Sequence, residues 1–285
     1  MQQANKVEKK LTIHDLKSMK AEGEKISATT AFDFNMACIA EEAGIELIVT
    51  GAAMMVMAGR KNTLSAEMHD TIFHLKLIQN GIKRAVVQCG LPFGSYQVSN
   101  EKAVENAVKL IKEGADSVKL EGAGIIADRV NAIHSAGIPV ASHLGMTPHY
   151  LSKIGGFRSV GRTAKEAVEI YNDAKLLQDA GAWSIELECV PFKVAEVISR
   201  KLNLVTIGIG SGAGCDAQLL ISHDIIGMQK ALKTKFAKKY ADVWKISVDA
   251  IIQYRQEVKQ KNFPTEQYSF SIEEDQFQKF LDIIG

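Results

Sequence analysis

The sequence has few cysteines, and they lie far apart. Its 285 residues include four of them, Cys38, Cys89, Cys189 and Cys215. Zinc sites and disulfide frameworks use cysteines in close pairs or in a dense pattern, so this spacing argues against both. A chain with this cysteine usage suits a reducing compartment, and we predict a cytoplasmic protein.

The sequence also lacks an excess of either charge and lacks a long apolar run. Lysine and arginine total 34, and aspartate and glutamate total 33, so charge gives no reason to expect nucleic acid or an anionic membrane as a partner. No apolar run approaches the roughly 18 residues that a membrane-spanning helix needs. The opening MQQANKVEKK is polar and mixed in charge, unlike a signal or transit peptide. We therefore expect neither a membrane nor a nucleic-acid partner.

What the chain does contain is a regular alternation of short apolar runs and helical patterns. Hydrophobic residues make up 46% of the sequence, and α/β barrels commonly reach this length as one domain. The nearly continuous hydrophobicity of each apolar run indicates a parallel sheet covered by helices. Eight runs are typical of strands: residues 26–31, 45–51, 84–90, 116–122, 138–145, 183–189, 203–210 and 224–228. Eight such units favour an α/β fold of the (β/α)8 TIM-barrel type over an open sheet.

Helical patterns separate and flank these strands. The first, TIHDLKSMKAEG, starts at Thr12, which is placed to cap its N-terminus. The patterns NEKAVENAVKLIKEG and TAKEAVEIYNDAKLLQDAG each end at a glycine suited to the position after a helix. One long charged helix is predicted over residues 231–260. We expect residues 1–285 to form a single barrel domain with an N-terminal helix and a C-terminal helical extension.

Charged residues occur near the ends of two predicted strands, where barrel enzymes carry their catalytic groups. Lys119 and Glu121 are two residues apart in SVKLEG, and Glu186 and Glu188 are two apart in SIELEC, so each pair shares a face of its strand. A charge that points into a barrel is unfavourable unless it is paired or functional. Structural ion networks are the alternative. We favour a functional role for Lys119, Glu121 and Glu188 and leave Glu186 open.

Two further segments follow strand ends. His143 in SHLGMTP could exchange protons or donate a hydrogen bond, and a purely structural histidine is an equal alternative. The segment GIGSGAG, Gly208–Gly214, follows the seventh strand, where barrels often bind phosphate. A tight turn is the favoured interpretation of its glycines. A nicotinamide site is rejected, because the strand–helix–strand context with a distant acidic residue is missing.

Nine phrases in order make the chain resemble one enzyme family. They are TAFDF, LPFGSY, VKLEG, HLGMTP, GGFRSVGR, LECVP, GIGSG, SHDIIGM and FPTEQYSF, and the similarity around them extends from about residue 12 to residue 270. The chain resembles the ketopantoate hydroxymethyltransferases (3-methyl-2-oxobutanoate hydroxymethyltransferases), relatives of the phosphoenolpyruvate mutase and isocitrate lyase barrels. The resemblance covers nearly the whole sequence.

The resemblance implies a reaction and a set of site residues. Its enzymes transfer a one-carbon unit from 5,10-methylenetetrahydrofolate to the 2-oxo acid 3-methyl-2-oxobutanoate, for pantothenate and coenzyme A, often as homo-oligomers with ten subunits. By resemblance, Glu188 is the general base, and Lys119, His143 and the backbone at Ala53 bind the substrate. Glu121 matches one of three carboxylates that hold a divalent metal, usually Mg²⁺, which chelates the keto acid.

The other two metal ligands of the family are absent here. The family's GDS turn reads Gly51-Ala52-Ala53, and its DLPF phrase starts with Gly90. Magnesium normally takes one or two carboxylates from a protein, so Glu121 alone is expected to bind it weakly. Gln88 shares the strand face of Gly90 and offers an amide oxygen, a poor substitute for a carboxylate.

Three alternatives follow from this loss. In the first, the chain is a divergent hydroxymethyltransferase, or a metal-free aldolase or lyase on another 2-oxo acid. Lys119, His143 and backbone N–H groups near Ala53 then stabilise the enolate with little or no metal, while Glu188 removes the proton. In the second, Lys119 forms a Schiff base with the keto acid and replaces the metal as electron sink. In the third, the chain is a paralogue that binds a keto acid or a partner without catalysis, since fold alone does not guarantee function.

Overall fold

The fold is a closed barrel of eight parallel strands. A computed structural model describes residues 9–230 and 234–285. Each strand pairs in parallel with the next along the chain, and the eighth closes the barrel on the first. The strands are β1 (Ile26–Thr30), β2 (Leu47–Thr50), β3 (Val86–Gly90), β4 (Ser117–Glu121), β5 (Val140–Gly145), β6 (Ser184–Glu188), β7 (Val205–Ile209) and β8 (Ala217–Leu220). The predicted TIM-barrel fold is confirmed.

The helices lie between the strands and after the last one. Those before β5 are α1 (Ile13–Glu22), α2 (Phe34–Glu42), α3 (Met54–Met57), α4 (Met68–Gln79), α5 (Asn100–Lys112) and α6 (Ile125–Ser135). Those after β5 are α7 (Leu151–Ile154), α8 (Ala164–Asp179), α9 (Phe192–Lys201), α10 (Ser222–Ile225), α11 (Val243–Lys259) and α12 (Glu274–Ile284). No helix among the described residues is long and apolar enough to cross a membrane.

Alternation along each strand separates an inner core from an outer core. Outward residues such as Val118 and Leu120 of β4 join the apolar layer between strands and helices. Inward residues such as Leu47 and Val205 fill the barrel towards the amino ends of the strands. Towards the carboxyl ends the inward positions become polar. The lower barrel is therefore a packed core, and the upper barrel is available for chemistry.

Local signals explain where the helices begin and end. The Thr12 side chain accepts a hydrogen bond from the backbone N–H of Asp15, whose carboxylate in turn accepts from the Thr12 N–H, so the predicted cap of α1 is confirmed. After α8, Gly181 has a φ of +104°, and a Cβ there would lie 2.4 Å from the ring of His134. Both observations require glycine at the end of this helix, as the sequence predicted.

The predicted eighth strand was wrong. Residues 224–228 lie at the end of α10 and in the turn after it. The strand is instead Ala217–Leu220, which pairs with β1 over four residues and begins opposite Ile207 of β7. Gln218, exposed within it, interrupts its apolar run, whereas the apolar residues around Ile225 gave a stronger pattern. Gly227, with a φ of +66°, closes the turn after α10.

The predicted C-terminal helix was too long. Residues 231–233 of the prediction lie outside the described residues, and α11 starts only at Val243. The backbone N–H groups of Tyr240, Val243 and Trp244 donate to carbonyls of residues 225–227, so they are already used in tertiary contacts. The side chain of Asp242 then caps α11 by accepting from the N–H of Lys245 at 3.3 Å.

Candidate active site

A cavity of about 250 Å³ opens at the carboxyl ends of the strands. Its walls include residues from β2 to β7, which is where TIM barrels place their catalytic groups. Every residue to which the resemblance assigned a place in the site lines it: Ala52, Ala53, Gly90, Lys119, Glu121, His143 and Glu188. Glu186, which the sequence left open, lines it too. The predicted residues thus converge on one void.

Strand register explains why these side chains meet. Glu121 of β4 is paired with His143 of β5, and His143 is paired in turn with Glu186 of β6. Gly90 of β3 lies opposite Lys119. Because residues at matching heights point the same way in a parallel sheet, the charged groups form one continuous layer.

Lys119 and Glu186 form a buried ion pair. Lys119 Nζ donates to Glu186 Oε2 at 2.7 Å, and Gln88 Nε2 donates to the other carboxylate oxygen at 2.7 Å. Glu186 is fully buried. Burial lowers the pKa of Lys119, but the carboxylates around it, first that of Glu186, outweigh burial and hold this pKa above its usual value. Lys119 is therefore a permanent ammonium at neutral pH, and Glu186 acts as its anchor.

Gln88 lies one layer deeper than the cation position for which the sequence proposed its amide oxygen. It is completely buried, and its amide nitrogen is committed to Glu186. Gln88 precedes Gly90 by two residues on the inward row of β3, so its side chain supports the floor of the cavity. In the structure, Gln88 therefore contacts Glu186, the carboxylate that holds Lys119 in place.

Glu121 is fixed by residues that the sequence analysis missed. Its Oε2 accepts the backbone N–H of His149 at 2.9 Å, and its own N–H donates to the Tyr96 hydroxyl at 3.2 Å. That hydroxyl also lies 3.0 Å from Nδ1 of His149. Burial raises the pKa of Glu121 and lowers the pKa of His149 to about 3. Both residues sit in or next to the family phrases LPFGSY and HLGMTP, which was the available signal.

His143 lies between the carboxylates. Its Nε2 is 3.2 Å from Glu188 Oε2, and its Nδ1 is 3.6 Å from Glu186 and 3.8 Å from Glu121. Even so, neither ring nitrogen has a well-aligned hydrogen-bond partner within residues 9–230 and 234–285. Burial lowers the pKa of His143 well below its usual value, so the ring is neutral. A buried neutral imidazole without partners is available to a bound ligand.

Glu188 is the carboxyl group best suited to accept a proton. It is buried beside His143, and burial, followed by the charge of Glu121, raises its pKa well above the usual value. A carboxylate with a raised pKa is a stronger base than an exposed one. The sequence predicted by resemblance that Glu188 is the general base, and this role stays a prediction, which the raised pKa of Glu188 supports.

The wall formed by β2 and β3 carries no charged side chain at the matching positions. Ala52 and Ala53 are half-buried on the turn after β2, and Gly90 ends β3. An ideal Cβ at Gly90 would lie 3.5 Å from Cε of Lys119 and 3.6 Å from the carbonyl oxygen of Thr50. These are ordinary contacts, so the missing side chain leaves real space.

This donor set does not fit a magnesium ion. Within the described part of the chain, no group of three or more His, Cys, Asp and Glu side chains is arranged to hold a metal. Mg²⁺ prefers oxygen ligands in an octahedron, with one or two carboxylates from the protein. Glu121 offers one carboxylate, already engaged with His149, and a lysine ammonium lies in the same layer. The chain therefore differs from the resembled family in two ways: it lacks two of the ligand residues, and the donors that remain are not arranged to bind the ion.

The glycine-rich segment after β7 is a tight turn. Ser211 Oγ donates to the carbonyl of Leu187 at 2.7 Å and accepts the N–H of Val190 at 3.0 Å, which ties the turn to the end of β6. A Cβ on Gly212 would lie 2.3 Å from Phe192. The turn leads directly into β8 and not into a helix, so the rejection of a dinucleotide site agrees with the structure.

Comparisons of the sequence with known proteins agree on one family. A family model described as Ketopantoate hydroxymethyltransferase matches residues 10–266. The chain is 44% identical over 265 residues to the 3-methyl-2-oxobutanoate hydroxymethyltransferase of Carboxydothermus hydrogenoformans, covering 92% of this chain and 96% of that protein. It is also 44% identical over 272 residues to the enzyme of the same name from Clostridioides difficile, covering 95% and 99%.

Solved structures with a similar fold belong to more distant enzymes. A phosphonopyruvate hydrolase in complex with oxalate and Mg²⁺ aligns with a TM-score of 0.58 at 10% identity, covering 96% of this chain and 98% of that one. A 2,3-dimethylmalate lyase, a PEP mutase/isocitrate lyase superfamily member, aligns with a TM-score of 0.57 at 14% identity, covering 96% and 100%. At such identities the likeness concerns the fold alone, and it agrees with the predicted barrel type.

Proposed function

Because the chain belongs to the ketopantoate hydroxymethyltransferase family, we propose that it transfers a one-carbon unit from 5,10-methylenetetrahydrofolate to 3-methyl-2-oxobutanoate. The observation that carries this proposal is the convergence of an ammonium, a neutral imidazole and a basic carboxylate on one cavity, those of Lys119, His143 and Glu188. These are the groups that aldol chemistry on a 2-oxo acid needs: one to bind an anion, one to stabilise an oxyanion, and one to accept a proton.

The first step is removal of a proton from the carbon beside the ketone. In its ionised form Glu188 accepts that proton, and the electron pair of the C–H bond moves into an enolate. The buried site favours this transfer because it raises the basicity of Glu188. Neutral His143, with both ring nitrogens unpartnered among the described residues, donates an N–H to the developing enolate oxygen.

The second step forms the carbon–carbon bond. The enolate carbon bonds to the methylene carbon of the folate, whose bonds to the two folate nitrogens are lost, and water supplies the new hydroxyl group. The net reaction consumes the keto acid, the folate and one water, and releases the hydroxymethylated keto acid and tetrahydrofolate. No step is assigned to a metal, because the donor set does not fit one.

The cavity suits a small substrate. Its volume of about 250 Å³ is near the lower end of ordinary ligand pockets, ~300–1,000 Å³. Apolar side chains, among them Val49, Leu91 and Ile209, line it beside the charged layer. They match the branched alkyl part of 3-methyl-2-oxobutanoate, while Lys119 matches its carboxylate. The larger folate is proposed to bind at the mouth and to insert only its reactive end.

The Schiff-base alternative is less favourable. A nucleophilic amine must be unprotonated, whereas Lys119 is held as an ammonium by the carboxylate of Glu186 at 2.7 Å. Borohydride added with the keto acid is expected to leave the mass of Lys119 unchanged. A covalent adduct on this lysine would replace the proposed mechanism with an imine mechanism.

A proton-exchange assay tests the proposed function and separates it from a non-catalytic paralogue. The full chain is incubated in D₂O with 3-methyl-2-oxobutanoate, and loss of the C3 proton signal is followed by NMR. Folate is then added, and the hydroxymethylated product is identified by mass spectrometry. We expect exchange and product formation with the natural chain. Binding of the keto acid by calorimetry without exchange or product would support the paralogue and contradict the proposal.

We also propose that the chain is one domain over residues 1–285 and works as a cytoplasmic homo-oligomer. Support for assembly comes from α11 and α12, which expose large apolar side chains such as Ile251, Phe280 and Ile283. Light scattering over a range of protein concentrations is expected to give a mass of several chains, with ten subunits as the family expectation. A monomer at all concentrations would contradict this.

A further inference from the structure

The loss of two ligand positions has a direct consequence for how the site carries positive charge. Resting on the proposed function, we propose that this chain holds its 2-oxo acid without a carboxylate-bound divalent cation, and that the ammonium of Lys119 chelates the substrate's carboxylate and ketone oxygens in place of the ion. Three features of the site support this proposal: the few remaining oxygen donors, the N–H groups of Lys119 that no described contact uses, and the absence of a side chain at Gly90.

The remaining donors are too few for a divalent ion. Of the three positions that carry carboxylates in the resembled family, only Glu121 has one here, since the others are Ala52 and Gly90. One oxygen of Glu121 already accepts the N–H of His149 at 2.9 Å. The ammonium of Lys119, held by Glu186 in the same layer, repels a divalent ion. Without carboxylates at residues 52 and 90, only Glu121 remains at the family's ligand positions to offset that repulsion.

Lys119 has the donors that the substrate requires. An ammonium carries three N–H donors, and the described contacts of Lys119 Nζ use one of them, on Glu186 at 2.7 Å. The other two are left for a ligand. The carboxylate and ketone oxygens of a 2-oxo acid lie on adjacent carbons, so one ammonium can donate to both. Glu186 and Gln88, both buried, hold the ammonium in place for this contact.

The side chain of Lys119 also runs beside the position of the lost ligand. Cε of Lys119 is 3.5 Å from the ideal Cβ position of Gly90, the residue that it faces across β3 and β4. A second lysine, Lys61, lines the cavity but is exposed. Lys119 is therefore the cation placed to stabilise an enolate: as Glu188 takes the C3 proton, negative charge moves to the ketone oxygen beside this ammonium.

Residues 52 and 90 have room for a Cβ, so substitutions that restore the two carboxylates can test the inference. The backbone of Gly90 is not in the left-handed region, and a Cβ there meets only ordinary contacts of 3.5 Å or more. Ala52 already carries a Cβ and is half-buried. By contrast, Gly51 has a φ of +140° and a Cβ there would lie 3.0 Å from the nitrogen of Gly90. A Cβ is therefore accommodated at residues 52 and 90 and is strained at residue 51.

Metal binding is the first test, because it does not depend on activity. Mn²⁺ is titrated into the natural chain, into A52D/G90D and into the isosteric control A52N/G90N, with binding followed by electron paramagnetic resonance and folding checked by circular dichroism. We expect saturable binding in A52D/G90D, tighter by about tenfold or more than in the other two proteins. Saturable binding of comparable strength by the natural chain, or none by a folded A52D/G90D, would overturn the inference.

Chelation and lysine replacement are the second test. Exchange at C3 by the natural chain is expected to be unchanged by EDTA and to fall about 100-fold or more in K119M/E186Q, in which the buried partner is neutralised as well. Exchange that EDTA abolishes, or that survives in a folded K119M/E186Q, would overturn the inference. If the natural chain shows neither Mn²⁺ binding nor exchange, the proposed function is wrong, but the inference that the chain lacks a divalent-cation site is still supported.

Discussion

The two walls of the cavity differ in how they are built. The wall from β4, β5 and β6 carries Lys119, Glu121, His143, Glu186 and Glu188, all buried or nearly so, with Lys119 within 4 Å of Glu186 and His143 within 4 Å of all three carboxyl groups. The wall from β2 and β3 ends in two alanines and a glycine. The first wall is a coupled network, and the second is a set of independent positions.

This difference explains which changes a barrel tolerates. Removing Lys119 from the charged wall leaves the buried carboxylate of Glu186 without its counter-charge, which is strongly unfavourable. Removing a carboxylate that points at an ion, together with the ion, leaves only space, as at Gly90. The wall of β2 and β3 can therefore lose its charged side chains while the wall of β4, β5 and β6 keeps them.

The largest effect is expected from Glu188→Gln on the charged wall. Glutamine keeps the shape of the side chain but cannot accept the proton, so exchange at C3 should fall by about 10²–10⁴-fold. Proton NMR in D₂O measures the rate, and calorimetry with the keto acid measures affinity, which should change little. The matched control is Glu105→Gln on the exposed face of α5. An exchange rate close to that of the control would remove Glu188 from the mechanism.

The next effect concerns stability. Lys119→Met leaves Glu186 fully buried without its cation, and breaking such a pair destabilises a protein by about 3–5 kcal/mol. Urea unfolding should show this loss, and K119M/E186Q should recover part of it. Lys245→Met, which breaks an exposed pair with Asp249 on α11, should have no measurable effect. Equal effects of the two lysine substitutions would mean that the charged wall is not coupled.

A smaller effect is expected from pH. Burial lowers the pKa of His149 to about 3 from an ordinary 6.5, so below that ordinary value the unfolded chain binds a proton that the folded chain does not. The contribution of His149 to stability should therefore fall as pH drops, by about 2 kcal/mol near pH 5, whereas the buried carboxyls with raised pKa values contribute in the opposite direction. Urea midpoints at about pH 7.5 and about pH 5 measure the loss, which His149→Asn should reduce. An identical pH dependence in the variant would show that His149 is not buried as a neutral group.

The inward positions of the charged wall were within reach of the sequence. Spacing of two along a strand placed Lys119 with Glu121 and Glu186 with Glu188, and the count of strands gave the barrel that brings β4, β5 and β6 together. The family phrases then assigned roles. Local pattern is informative here because strand alternation fixes side-chain direction without knowledge of any distant contact.

Contacts between distant segments were not predictable in this way. The hydrogen bonds of Glu121 with His149 and Tyr96 join residues from three separate segments, and no periodicity in the sequence predicts them. The eighth strand was missed because Gln218 breaks its apolar run, and pairing with β1 and β7 outweighs that weak local signal. Glu186 remained undecided until its 2.7 Å contact with Lys119 was known.

The smallest effect is expected in the labelling of Cys89, which tests whether the wall formed by β2 and β3 stays packed in solution. Cys89 lies next to Gly90 on β3 but points outward, fully buried among the helices, and burial raises its pKa to about 12. The thiolate is the form that attacks iodoacetamide and displaces iodide, so Cys89 should be labelled only after unfolding in urea, whereas half-buried Cys38 serves as the native-state reference. If mass spectrometry finds Cys89 labelled in the native protein as fast as Cys38, the wall opens in solution. The space at Gly90 would then be part of a loosened strand and would no longer be a preformed feature of the site.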